Sequence, residues 1–107
     1  MELEMTSDGQ TVISTFEMTP GTCADVLEAL EDAYTDVIRY QPGFRGAAIH
    51  VNDAQTRIAT YSRWAAREDF QAMLRSPEMR TRNRAIAALC ARFEPVMYDV
   101  AATYTPG

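Results

Sequence analysis

The sequence predicts one α+β domain ordered β-α-β-β-α-β, a four-stranded antiparallel sheet with its helices on one face. Three observations predict it. A chain of 107 residues holds one hydrophobic core and no second domain. Residues 26–38 repeat apolar side chains at steps of three and four, the mark of an amphipathic helix. Two runs rich in β-branched and aromatic residues flank Asn52-Asp53-Ala54-Gln55, the pattern of a hairpin. The domain spans residues 1–107, with residues 1–9 expected as a flexible polar tail.

Thr11 to Met18 alternates as a first strand, stopped by Thr19-Pro20-Gly21. Thr22 is the expected cap of the first helix, with Asp25 near its free N–H groups. Val26, Leu27, Leu30, Ala33, Tyr34, Val37 and Ile38 form its inner stripe, and Glu28, Glu31, Asp32 and Asp36 its outer one. Gln41-Pro42-Gly43 ends it. Phe44 to Val51 and Arg57 to Trp64 read as the second and third strands. A short helix over Arg67 to Leu74 turns Phe70, Met73 and Leu74 inward. Ser76-Pro77 starts a further helix, expected to run to about Arg92 and to be closed by Pro95. Val96 to Tyr104 is the expected last strand.

This order is the split β-α-β, or ferredoxin-like, arrangement. Right-handed crossovers place both helical segments on the same side of the sheet. Third-strand residues of both parities are apolar, Ile58 and Trp64 on one face and Ala59 and Tyr61 on the other. The face without helices then needs a cover, and a second copy packed sheet to sheet supplies one. A homodimer is expected.

Net charge of −5 and a pI near 4.7 argue against nucleic acid, whose backbone needs clustered cations. The cationic group Arg75, Arg80, Arg82 and Arg84 is diluted by Glu78 and reads as a solvated helix face. Cys23 and Cys90 show no paired spacing and suit a reducing compartment. No secretion signal and no membrane-length apolar run is visible, so a cytoplasmic protein is expected.

The chain carries no glycine-rich phosphate loop, no GxSxG and no HExxH motif. Its single histidine, His50, lacks neighbours at metal-ligating spacing, so no metal site is expected. His50 is either structural or a candidate base. The informative anomaly is polar residues on apolar stripes. Asn83 sits in the row Met79, Ile86, Cys90, with Arg82 beside it. Thr60 and Ser62 share a strand face with Ile58 and Trp64. If that face meets the helices, these residues line an apolar pocket with a few hydrogen-bonding groups. If it meets solvent, they need no explanation. Trp64, Phe70 and Tyr34 are either core anchors or pocket walls.

Pro42-Gly43-Phe44, Tyr61-Ser62-Arg63-Trp64, Asp69-Phe70 and Ser76-Pro77-Glu78-Met79 together resemble the antibiotic biosynthesis monooxygenase domain. The resemblance covers residues 10–104. It implies a dimeric α+β barrel that oxidises aromatic polyketide anthrones to quinones, with molecular oxygen as co-substrate and no cofactor. By that resemblance Trp64 is the pocket tryptophan. Phe70 stands where an anthrone oxygenase has tyrosine, and Thr60 where it has asparagine. Haem-degrading relatives carry an axial histidine, whereas the corresponding helical positions here are Asn83 and Met73.

The function expected is a cofactor-independent monooxygenase acting on a small aromatic substrate. Trp64 and Asn83 would hydrogen-bond that substrate, with His50 as a base. Thr60, Ser62, Phe70, Tyr34 and Met73 would form the walls, and Arg82 would neutralise a phenolate. A polyketide cyclase without oxygen chemistry and a catalytically silent binding dimer are the alternatives.

Overall fold

A computed structural model describes residues 8–107. They form β1 (Gln10–Glu17), α1 (Pro20–Asp36), β2 (Phe44–Val51), β3 (Arg57–Trp64), α2 (Arg67–Arg75), α3 (Pro77–Ala88) and β4 (Arg92–Tyr98), with a 3₁₀ turn at Ile38–Tyr40. The strands pair antiparallel in the order β2-β3-β1-β4, an open ferredoxin-like sheet. The expected tail over residues 1–9 falls mostly on residues 1–7, outside the described residues. Asp8 already touches the sheet, since its carbonyl accepts from the Arg63 guanidinium.

The register settles which face of β3 meets the helices. Ile58, Thr60, Ser62 and Trp64 are only 1–4% exposed, and they pack beneath the helical layer. Val12 and Phe16 of β1 share that face. One half of the core joins Val12 and Trp64 to Ala33, Phe70, Met73 and Met79. The other joins Phe16 and Ile58 to Val26, Leu30 and Ile86, with Phe93 stacked on Phe16 at 4.5 Å. Burial of these side chains drives folding at about 25 cal/mol per Å² of apolar surface removed from water.

Local chemistry fixes the turns. In the β2–β3 loop the Asn52 carboxamide oxygen accepts from the Thr56 and Arg57 N–H groups, each at 2.9 Å. Gly43 holds φ +81°, and a Cβ there would collide with the Asp69 carboxyl, so only glycine serves. Ser76 caps α3, its Oγ accepting from the Met79 N–H at 3.3 Å with Pro77 in the first helical position.

Three expected boundaries are corrected. Thr19, not Thr22, is the cap of α1, because Pro20 has the fixed φ suited to the first helical position. Asp25 consequently lies past the first turn. The last helix stops at Ala88 and the last strand begins at Arg92, so Phe93 is a strand residue. Pro95 lies inside β4 instead of closing a helix. It is tolerated because β4 is an edge strand, bonded among the described residues to β1 alone. Residues 99–107 form no regular element, so Val100, Ala102 and Tyr104 belong to no strand, and Tyr104 is 84% exposed.

The opposite face of the sheet presents Ile13, Ala59, Tyr61, Val96 and His50, with no described helix over it. No helix among the described residues is long and apolar enough to cross a membrane.

Candidate functional site

Between the sheet and the three helices lies a small cavity of about 40 Å³. Sheet residues Ser14, Thr60 and Ser62 form its floor, while Tyr34 of α1, Phe70 and Met73 of α2 and Asn83 of α3 close over it. The remaining lining is almost entirely aliphatic or aromatic, so a few polar groups stand in an apolar wall. A volume of this size admits a few waters at roughly 10–15 Å³ each, not a fused-ring molecule.

Tyr34 is the only titratable side chain among the described residues of the lining. Burial raises its pKa above the ordinary 10.0, and the facing hydroxyls of Thr60 and Ser62 offset part of that rise. The phenol is therefore neutral across the physiological range and keeps a proton that it can donate. Ser62 in turn accepts from the Trp64 indole N–H at 3.0 Å. That bond occupies the Ser62 oxygen, leaving its own proton for the phenol or the cavity. Trp64, Ser62, Tyr34 and Thr60 thus form one connected wall.

The structure gathers Thr60, Ser62, Phe70, Tyr34, Met73 and Asn83 around this cavity and leaves three candidates outside it. His50 projects from the opposite sheet face, since it pairs with Ala59 and not with Thr60, and it is exposed. It is not a base for this cavity. Arg82 points to the surface, where Asp36 at 3.6 Å and Glu78 at 3.3 Å neutralise it. It cannot neutralise a phenolate in the cavity from there. Trp64 lies behind the lining, 1% exposed, with its N–H already taken by Ser62. It supports the wall and does not itself reach the cavity.

Sequence reasoning missed Ser14, although its signal was the same one that singled out Thr60. Ser14 stands between Val12 and Phe16 on the buried parity of β1, a hydroxyl in an apolar row. Phe93 and Leu74 also line the cavity, the former hidden by the misplaced start of the last strand.

Two surface grooves adjoin the cavity. One, about 380 Å³, runs between α3 and β4 and shares Leu74, Asn83 and Phe93 with the cavity lining. The other, about 260 Å³, lies beside β2 and shares only Tyr34. Among the described residues no group of three histidine, cysteine or acidic side chains is placed to hold a metal ion.

A family model described as antibiotic biosynthesis monooxygenase matches residues 10–85. Tetracenomycin-F1 monooxygenase of Streptomyces glaucescens is 28% identical over 69 residues, 64% of this chain and 62% of that protein. The match thus spans less than two thirds of that relative's length. Among solved structures, the monooxygenase from the gene ActVA-Orf6 of Streptomyces coelicolor, in complex with the ligand nanaomycin D, superposes with a TM-score of 0.80. It is 20% identical, with 94% of this chain and 95% of that one covered. SnoaB, a cofactor-independent oxygenase from Streptomyces nogalater, gives a TM-score of 0.71 at 19% identity, covering 94% and 99%. At these identities the structural likenesses show the shared fold.

Proposed function

The chain belongs to the antibiotic biosynthesis monooxygenase family, and on that footing we propose that it oxidises an anthrone-type aromatic polyketide to a quinone without a cofactor. One observation carries the reading. The cavity is apolar, and its polar groups are neutral hydrogen-bonding groups, with no carboxylate and no histidine among the described residues of the lining. Such a site suits a substrate that supplies its own acidity. A polyphenolic anthrone gives a ring-activated proton to a water molecule held in the cavity, and the resulting delocalised carbanion passes electrons to O₂. The methylene becomes a carbonyl and the second oxygen atom leaves as water. The Tyr34, Ser62 and Asn83 donors would hold the developing oxyanion, and the apolar walls would exclude bulk water. A cyclase is less well served, because acid–base chemistry near neutral pH needs a group that titrates there.

The test is oxygen consumption by chelator-treated protein given a dihydroxyanthrone, after subtraction of the spontaneous rate. Uptake with quinone formation is expected, and Asn83→Ala should lower the turnover number by on the order of a hundredfold to a thousandfold. No uptake above background would remove the oxygenase reading and leave the silent binding protein. Undiminished turnover in an Asn83→Ala, Trp64→Phe double variant would remove the site assignment instead.

The open sheet face is the proposed seat of a second copy. Sedimentation should return about twice the 12.0 kDa of one chain. A Tyr61→Lys variant, placing a charge on that face opposite Ile13, should shift the mass to that of a single chain. A single-chain mass for the unaltered protein would show that the face stays open to water.

A further inference from the structure

We propose that the groove between α3 and β4 is an anion-recognising entry to the cavity, built for an aromatic ligand that bears a carboxylate. This rests on the reading of the cavity as a substrate site and adds the charge of the substrate to it. At about 40 Å³ the cavity is too small for any fused-ring compound, so a ligand must enter from a neighbouring groove as the wall yields. Leu74, Asn83 and Phe93 line both spaces and therefore form the neck between them. Two apolar side chains and one amide make this neck, and a change of their rotamers would widen it.

The outer groove adds Arg80, Arg84 and Ala87 to those three residues. Arg80 and Arg84 are one helical turn apart, so their guanidinium groups lie on one side of α3. The arginines of this helix differ in what they face. Arg82 is neutralised by Asp36 and Glu78, whereas neither Arg80 nor Arg84 forms an ion pair among the described residues. Two cations without an ion-pair partner among the described residues make the groove attractive to anions in a protein of net charge −5. Its floor of Leu74, Ala87 and Phe93 suits a planar ring. A carboxylate held by the arginines would leave the ring pointing at Asn83 and the neck. Guanidinium forks bind carboxylates in two-pronged fashion, which also fixes the direction of entry.

The neighbouring groove offers Arg39, which lies over the Tyr40 ring at 5.7 Å, as the competing anchor. Titration calorimetry with anthracene-9-carboxylate and with the uncharged anthracene-9-carboxamide separates the possibilities. The unaltered protein should bind the acid on the order of tenfold more tightly than the amide, with the preference shrinking as salt is raised. An Arg80→Gln, Arg84→Gln double variant should lose the preference while its affinity for the amide stays unchanged. Arg39→Gln should keep the preference. Equal affinities for acid and amide, no binding of either, a preference surviving in the double variant, or one lost in Arg39→Gln would each overturn the proposal. Oxygen uptake is measured apart from binding. Selective binding without uptake would keep the anion entry and remove the oxygenase reading, and uptake without selectivity would do the reverse.

Discussion

Trp64→Ala is expected to destabilise the domain by about 3–5 kcal/mol, the usual cost of emptying a large aromatic site. The indole is 1% exposed and meets Phe44 and Phe70 edge-on, at centroid distances of 5.3 Å and 5.8 Å. Each such pair adds about 0.5–1.5 kcal/mol beyond the area it buries. Its N–H bond to Ser62 is lost too, leaving a serine 4% exposed with one partner fewer. Against a total stability of about 5–15 kcal/mol for a domain of this kind, the loss is a large fraction. Urea denaturation followed by circular dichroism is the measurement, since Trp64 is the only tryptophan and its fluorescence disappears with it. An unchanged midpoint would show that this ring does not anchor the core. Trp64→Phe separates packing from hydrogen bonding. It keeps most of the ring volume, so the fold should survive while the Ser62 hydroxyl is no longer held in place.

Where the sequence was legible, the reason is local. The β2–β3 hairpin could be read because Pro42-Gly43 and Asn52-Asp53 punctuate it, and each does what its chemistry dictates in the folded chain. The end of α3 could not. Met79, Ile86, Cys90 and Phe93 continue a helical spacing across a helix that stops at Ala88, and Pro95 looks like a terminator unless its strand is known to be an edge. The polar residues of the cavity were visible as interruptions of apolar stripes, which is a property of single elements. What stayed hidden depended on contacts between elements. Nothing within α3 says that Asp36 of α1 will neutralise Arg82. Nothing within β2 says which parity will face the helices, and that parity alone places His50 on the far side. The Trp64 bond to Ser62 lay within reach of sequence reasoning, since residues two apart on a strand share a face.

Tyr34→Phe is expected to lower turnover by about a hundredfold or more while the fold stays intact, the loss usually seen when one donor to a developing oxyanion is removed. The phenyl ring is kept, so the contact with Phe44 at 6.2 Å and the closure of the cavity are retained. Only the hydroxyl facing Thr60 and Ser62 goes. The pH dependence distinguishes a donor from a base. A base would need a phenolate, and turnover would rise with pH through neutrality. A donor works as the neutral phenol, and burial holds Tyr34 in that form beyond its ordinary 10.0. The ratio of unaltered to Tyr34→Phe turnover should thus be flat from neutral pH to about 10, falling only above it. Stability follows the same sign. With its folded pKa above the unfolded one, the native state retains the proton longer than the unfolded chain does. The stabilisation is complete below the unfolded value and is lost as pH rises through the folded one. Denaturant midpoints at successive alkaline pH values should fall less steeply for Tyr34→Phe than for the unaltered protein. Parallel curves would mean that this phenol is not buried, and a ratio climbing through neutral pH would make Tyr34 the base instead.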